Sequence, residues 1–260
     1  MNDDENGDAG SEKRIGTRSS PTEPDRIFVP PGRPIGMNGD DGSPAATAAL
    51  GDDLQVTDCE RCPALVDSRS RIVNGVGPTD ADLVFLGEAP GADEDEQGEP
   101  FVGRSGDVLD EALQAAGLVR ADVRITNCVR CRPPENRDPT AEELSNCRGY
   151  LAAELDRVDP ELLVTLGKVP SQHVLDRDVA ITAEAGSVVD ARIGESSRRV
   201  LLSVHPAATL YDRSQREGFF EAIAEAARIA GIGGADSDGD ESGSGNVGTD
   251  GSGQSRLGEF

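Results

Sequence analysis

The chain has 260 residues, 36% of them hydrophobic, and a formal net charge of −24. That length admits one good-sized domain with tails, and the low apolar share leaves part of the chain outside any core. So negative a chain excludes a partner gripped chiefly through a basic surface. Residues 1–50 are rich in Gly, Pro, Asp and Ser and are predicted to be a disordered acidic tail. From 51 to 232 apolar runs alternate with amphipathic stretches, the predicted folded domain. Four runs read as buried strands: Leu83–Glu88, Arg124–Val129, Leu162–Gly167 and Val200–His205. Between them, Gly106–Ala116 sets Val108, Leu109, Ala112, Leu113 and Ala116 on one helical face. Thr140 with Glu143 forms a capping box that opens a helix reaching about Arg157, and Ser214 with Glu217 opens another that stops near Gly231. Strands alternating with helices predict a three-layer α/β/α domain around a four-stranded, mainly parallel sheet. Residues 233–260 are predicted to be a flexible acidic linker.

Lys13 and Lys168 are the only lysines. Abundant Asp and Glu with scarce lysine is the surface expected of a halophile's protein, since at molar salt the screening length falls to about 3 Å. The same salt removes most counterion-release affinity for a polyanion, so any nucleic-acid contact must use shape, stacking and hydrogen bonds. No lysine is placed for Schiff-base chemistry. No apolar run reaches the ~18 residues of a membrane span, and no signal-peptide core is visible. Five cysteines without an export signal predict a reducing cytoplasm, with metal or cluster ligation in preference to disulfides.

In open α/β sheets ligands bind beyond the carboxyl ends of the strands. Those ends bring Glu88, Asn127, Gly167-Lys168 and His205 to one rim. Just after the first strand, Gly87-Glu88-Ala89-Pro90-Gly91 and Gln97-Gly98-Glu99-Pro100-Phe101-Val102-Gly103-Arg104-Ser105-Gly106 form a Gly/Pro-rich loop suited to close approach of a ligand. Phe101 lies off any periodic apolar face and is a candidate platform for a flipped base. Cys59-x-x-Cys62 is a two-ligand clip, with Cys131 and Cys147 as two further thiols. This set suits four-thiolate zinc or an iron–sulfur cluster. Cys128, inside a strand, reads as a small core residue.

Three stretches in order resemble the family-4 uracil-DNA glycosylases over roughly residues 56–230. They are Glu88-Ala89-Pro90-Gly91 through Gly103-Arg104-Ser105-Gly106, Thr126-Asn127 with Cys131-Arg132-Pro133-Pro134-Glu135-Asn136-Arg137, and His205-Pro206-Ala207-Ala208. The resemblance implies monofunctional uracil excision from DNA by a monomer. It implies a [4Fe–4S] cluster on Cys59, Cys62, Cys131 and Cys147 that tethers the loop carrying Arg130, Arg132 and Arg137. It also implies that His205 donates a hydrogen bond to the leaving uracil and that Asn127 reads the base edge. Ala89, Pro90, Gly91 and Phe101 are expected to line the pocket. Ala89 stands where the best-known uracil glycosylases carry a water-orienting aspartate, and the neighbouring Glu88 is the candidate either to hold the water or to position the loop. Glu94 and Asp95 are read as pocket wall or solvated surface, and Leu210 as the wedge that fills the gap in the duplex, or else a buried leucine. Gln254, Leu257 and Phe260 match the short pattern by which repair proteins dock on the sliding clamp. Two other readings are a same-fold glycosylase for another deaminated base and a non-catalytic iron–sulfur DNA-binding protein.

Overall fold

The structure, a computed structural model, describes residues 50, 51 and 53–233. All of the two expected tails except residues 50 and 233, and with them Gln254, Leu257 and Phe260, lies outside the described residues.

The chain order is α1 (Pro63–Ser68), β1 (Leu83–Gly87), α2 (Ala92–Gln97), α3 (Arg104–Ala115), β2 (Arg124–Asn127), α4 (Ala141–Val158) and β3 (Leu162–Leu166), followed by α5 (Lys168–Leu175), α6 (Ile181–Glu184), β4 (Val188–Ile193), β5 (Ser196–Ser203), α7 (Ala208–Tyr211) and α8 (Ser214–Ala230). All four expected strands form, and the predicted helices form within about two residues of their bounds. The sheet nevertheless has five strands, not four, in the order β2-β1-β3-β5-β4. The added strand, β4, runs antiparallel to β5 from Val188↔Leu201 to Ile193↔Ser196. A two-residue turn, Gly194-Glu195, closes this hairpin with Gly194 at φ 67°, the positive dihedral such turns require.

β1, β2 and β3 are buried along their whole length, as parallel strands covered on both faces must be. Alternate residues serve two layers. Leu83, Phe85, Leu162, Val164 and Leu201 pack against α3 and α8 through Leu109, Leu113, Phe219 and Ile223. Val84, Leu86, Leu163, Val200 and Leu202 pack against α4 and α5 through Leu151, Leu155 and Val174, and Cys128 joins this second layer as expected. Thr140 caps α4 as predicted: its Oγ1 accepts from the Glu143 N–H at 3.2 Å, and Glu143 Oε2 accepts from the Thr140 N–H at 2.8 Å. No described helix is long and apolar enough to cross a membrane.

A buried ion network ties the segment before β1 to the sheet. Glu154 of α4, fully buried, accepts from Arg124 Nε at 2.6 Å, Arg130 Nη2 at 2.7 Å and Thr126 Oγ1 at 3.0 Å. The two arginines spend their remaining donors on that segment: Arg124 on the carbonyls of Gly77 and Gly75, Arg130 on the Leu54 carbonyl and Asn74 Oδ1. Arg130 therefore faces inward and is not a loop cation.

Candidate active site

After β1 the chain crosses to β2 on one side of it and returns to β3 on the other, so the strand order reverses between β1 and β3. Such a switch point opens a crevice at the carboxyl end of a sheet. Across that rim stand, in order, Asn127, Gly87, Gly167 and His205. At the usual strand spacing this rim is about 14 Å wide. The two inner positions carry no side chain, which leaves room for the Asn127 and Phe101 side chains over Gly87 and for the His205 side chain beside Gly167. Gly87 cannot be otherwise: a Cβ there would lie 2.2 Å from Asn127 Oδ1 and 2.4 Å from the Phe101 ring. A Cβ on Gly167, at φ +112°, would come within 3.2 Å of the His205 Cβ. The Phe101 and His205 rings lie 5.7 Å apart with planes at 30°. Phe101, Asn127 and His205, far apart in sequence, thus meet at one place.

Each group has a definite hydrogen-bonding state. Asn127 is buried, and its Nδ2 has no partner; an amide donor in that position normally loses free energy unless something supplies an acceptor. His205 Nδ1 accepts from the Ala207 N–H at 3.1 Å, which assigns the ring proton to Nε2. Burial pushes the His205 pKa down to about 4, so the imidazole is a neutral donor at ordinary pH. Phe101 is buried with the α3 and α8 layer at a positive φ of 55°, uncommon for an aromatic residue. Two clasps hold it there: its N–H donates to Glu94 Oε1, and its carbonyl accepts from Arg120 Nη2. Arg120 also reaches the Pro100 carbonyl at 3.2 Å and Asp110 Oδ1 at 2.6 Å.

Glu94 is half-buried and lines a small cleft, so it is not freely solvated surface. Its second oxygen accepts from the Gly91 N–H, so one carboxylate staples both ends of the 91–101 loop. Burial raises its pKa, and the two N–H donors pull it part of the way back. Asp95 is also buried, accepting from the Ser70 N–H at 2.9 and 2.8 Å and from Arg71 at 3.3 Å. The available signal was an acid three residues into a helix opened by a glycine, a capping position. Arg120 gave no such signal.

Glu88 is half-buried just beyond β1. Its carboxyl pKa is raised to about 7, first by burial and then by the charge and hydrogen bonding of the nearby Asp138. Pro90 is buried, Gly91 opens α2, and Ala89 packs toward the apolar group of Leu65, Val129 and Cys131. Leu210 on α7 is 41% exposed, which removes the buried-leucine alternative.

Cys62 and Cys147 pack against that same apolar group. Cys59 lies close enough to Cys62, Cys131 and Cys147 to act on them electrostatically, so four thiols from three separate stretches of chain converge. Burial pushes Cys62 and Cys131 up and Cys147 up to about 12. Two donors face the sulfurs: Arg69 Nη1 at 2.9 Å from Cys131 Sγ and Asn146 Nδ2 at 3.5 Å from Cys62 Sγ. Among the described residues no three His, Cys, Asp or Glu side chains are arranged to hold a single metal ion.

Residues 74–228 match the family model described as the uracil DNA glycosylase superfamily. The chain is 40% identical over 169 residues to the type-4 uracil-DNA glycosylase of Archaeoglobus fulgidus, covering 64% of this chain and 84% of that protein. It is also 40% identical over 161 residues to the type-4 enzyme of Thermotoga maritima, covering 62% and 82%. A type-5 uracil-DNA glycosylase of Pyrobaculum aerophilum is 35% identical over 184 residues, 58% of this chain and 79% of that protein. Taken with the fold, the rim and the motifs, these matches make the chain a member of the type-4 uracil-DNA glycosylase family.

Proposed function

We propose that this chain hydrolyses the N-glycosidic bond of deoxyuridine in DNA, acting as a monomer and leaving an abasic site. The observation that carries this reading is the unpaired, buried Asn127 amide beside the Phe101 ring and across the rim from a neutral histidine donor. Breaking the C1′–N1 bond sends its electron pair to uracil, and water supplies the new bond to C1′. The protein's task is to stabilise negative charge on the base and aim the water. Asn127 Nδ2 is suited to donate to O4 while Oδ1 accepts from N3–H, a pairing that cytosine reverses. Phe101 offers a stacking face, with Ala89, Pro90 and Gly91 as its surroundings, His205 Nε2–H faces the O2 side, and Leu210 fills the gap left by the extruded nucleotide. Asn127→Ala should slow uracil release from an oligonucleotide by roughly ten- to a hundredfold, the usual weight of a buried pairing. Equal rates for the two proteins would remove the assignment. Release of hypoxanthine in preference to uracil would favour the other same-fold activity, and no alkali-labile site in uracil-DNA would favour the non-catalytic one.

Glu88 takes the water-orienting place. It must be a carboxylate to accept a hydrogen bond from water, so activity should fall as pH drops through about 7. His205, with its pKa near 4, stays neutral across that window and contributes no limb there. A pH profile of kcat/KM that is flat from 8 to 5 in the wild type would contradict the role, whereas Glu88→Gln should lose the limb along with most activity.

We also propose that Cys59, Cys62, Cys131 and Cys147 hold a [4Fe–4S] cluster. Its contribution is structural, joining three stretches of chain. The all-thiolate donor set and the Arg69 and Asn146 donors aimed at sulfur support it. Purified protein should be brown and yield about four irons per chain, and Cys147→Ala should lose both colour and thermal stability. One zinc and no iron would replace the cluster with the metal ion. From the sequence pattern alone we propose the sliding clamp as the partner of Gln254, Leu257 and Phe260, and molar salt as the working medium of so acidic a chain.

A further inference from the structure

Four large hydrophobic side chains are exposed among the described residues, and two of them are consecutive: Leu210 at 41% and Tyr211 at 81%. Both belong to α7, the single turn that follows His205 and is locked to it by the Ala208 N–H donating to the His205 carbonyl at 2.9 Å. The chain has only two tyrosines and no tryptophan, and it leaves one of these rings almost wholly in water at the edge of the base pocket. Tyr211 and Leu210 line a shallow cleft of about 210 Å³ together with Ala207, two residues after His205, and with Arg104 and Ser105 at the start of α3. Asp93 and Glu94 line the same cleft. Glu94 is committed to two backbone N–H groups, and one arginine against two acids is a poor electrostatic trap for a polyanion.

What the cleft does offer is a flat, exposed π-face beside the place where a nucleotide leaves the stack. We propose that Tyr211 is a stacking platform for a base of the uracil-bearing strand next to the extruded nucleotide, with the adjoining phosphate received by Arg104. The proposal rests on the uracil-excision reading for the position of that strand. Stacking of a base on an aromatic ring tolerates any sequence and releases no counterions, so it survives the salt that strips phosphate contacts. A chain of net charge −24 gains more from such a contact than a basic one does.

The test uses the full chain and a short oligonucleotide bearing a tetrahydrofuran abasic analogue, with 2-aminopurine as its neighbour. Affinity is read by anisotropy over a series of KCl concentrations up to the molar range. Tyr211→Ala should weaken binding about tenfold at every salt concentration, leave the log–log salt slope unchanged and abolish 2-aminopurine quenching. Tyr211→Phe and Tyr211→Trp should keep wild-type affinity and quenching. Arg104→Gln should reduce the salt slope by about one. Wild-type affinity and quenching in Tyr211→Ala would overturn the proposal, as would a loss shared by Tyr211→Trp, because the ring face would then not be the contact. Uracil release by the wild type, measured in the same buffers, separates the two readings. Its absence would end the excision reading while the quenching result still decides whether Tyr211 stacks on DNA.

Discussion

Replacing His205 with alanine should lower kcat for uracil release by about 10²–10³, the usual loss when one donor to a developing anion is removed, with KM little changed. His205 Nδ1 is occupied by the Ala207 N–H. That bond leaves Nε2 as the protonated nitrogen and fixes the ring plane, so the donor is oriented before substrate arrives. Burial keeps the ring neutral down to about pH 4. A neutral imidazole cannot give uracil a full proton cheaply, but it can hold a hydrogen bond that strengthens as charge gathers on O2. Such a bond acts on the transition state more than on the bound substrate, which is why kcat carries the loss. His205→Gln, which keeps a donor, should recover part of the rate. Single-turnover kinetics on a uracil oligonucleotide read both variants, and a rate within a few-fold of wild type for His205→Ala would transfer the role to another group.

The second large effect concerns stability. Glu154→Gln should cost about 3–5 kcal/mol, the usual result of breaking a buried pair and leaving the other charge uncompensated. Here two arginines, not one, would lose their counter-charge. Against a total stability of about 5–15 kcal/mol, the change would move the denaturant midpoint far. It should do so nearly independently of salt, because Glu154 and both arginines are buried and poorly screened. The exposed Arg199–Glu161 pair supplies the contrast: Glu161→Gln should shift stability by less than about 1 kcal/mol. Equal midpoint shifts for the two variants, read by urea titration of the purified holoprotein, would contradict this division.

The sheet was legible because parallel strands buried on both faces are continuous apolar runs, and Leu83–Gly87, Leu162–Leu166 and the apolar half of β5 are such runs. β4 escaped because it is an edge strand: Val188, Asp190 and Arg192 face outward and thin its apolar signal, although Gly194-Glu195 between alternating residues is a hairpin pattern. At the site, Asn127 and His205 could be placed because strand ends converge on a rim whatever the side chains. What could not be read were pairings set by tertiary approach. Glu88 and Asp138 meet across fifty positions of sequence, Arg120 reaches back to Phe101, and Arg130, expected on a tethered loop, points inward to Glu154. No local periodicity encodes these. The exposure of Tyr211 was equally hidden, since an aromatic next to a leucine ordinarily belongs in a core.

Gly87 and Gly167 give up their own side chains to make room for those of Asn127, Phe101 and His205, and this limits how the protein can change over evolutionary time. Most substitutions alter side chains, and here there are none to alter without collision. Relatives that come to accept a bulkier or differently patterned base must therefore remodel the flanks, at the position of Asn127 or along the 91–101 loop. Their variation should concentrate there, while the two bare positions stay glycine.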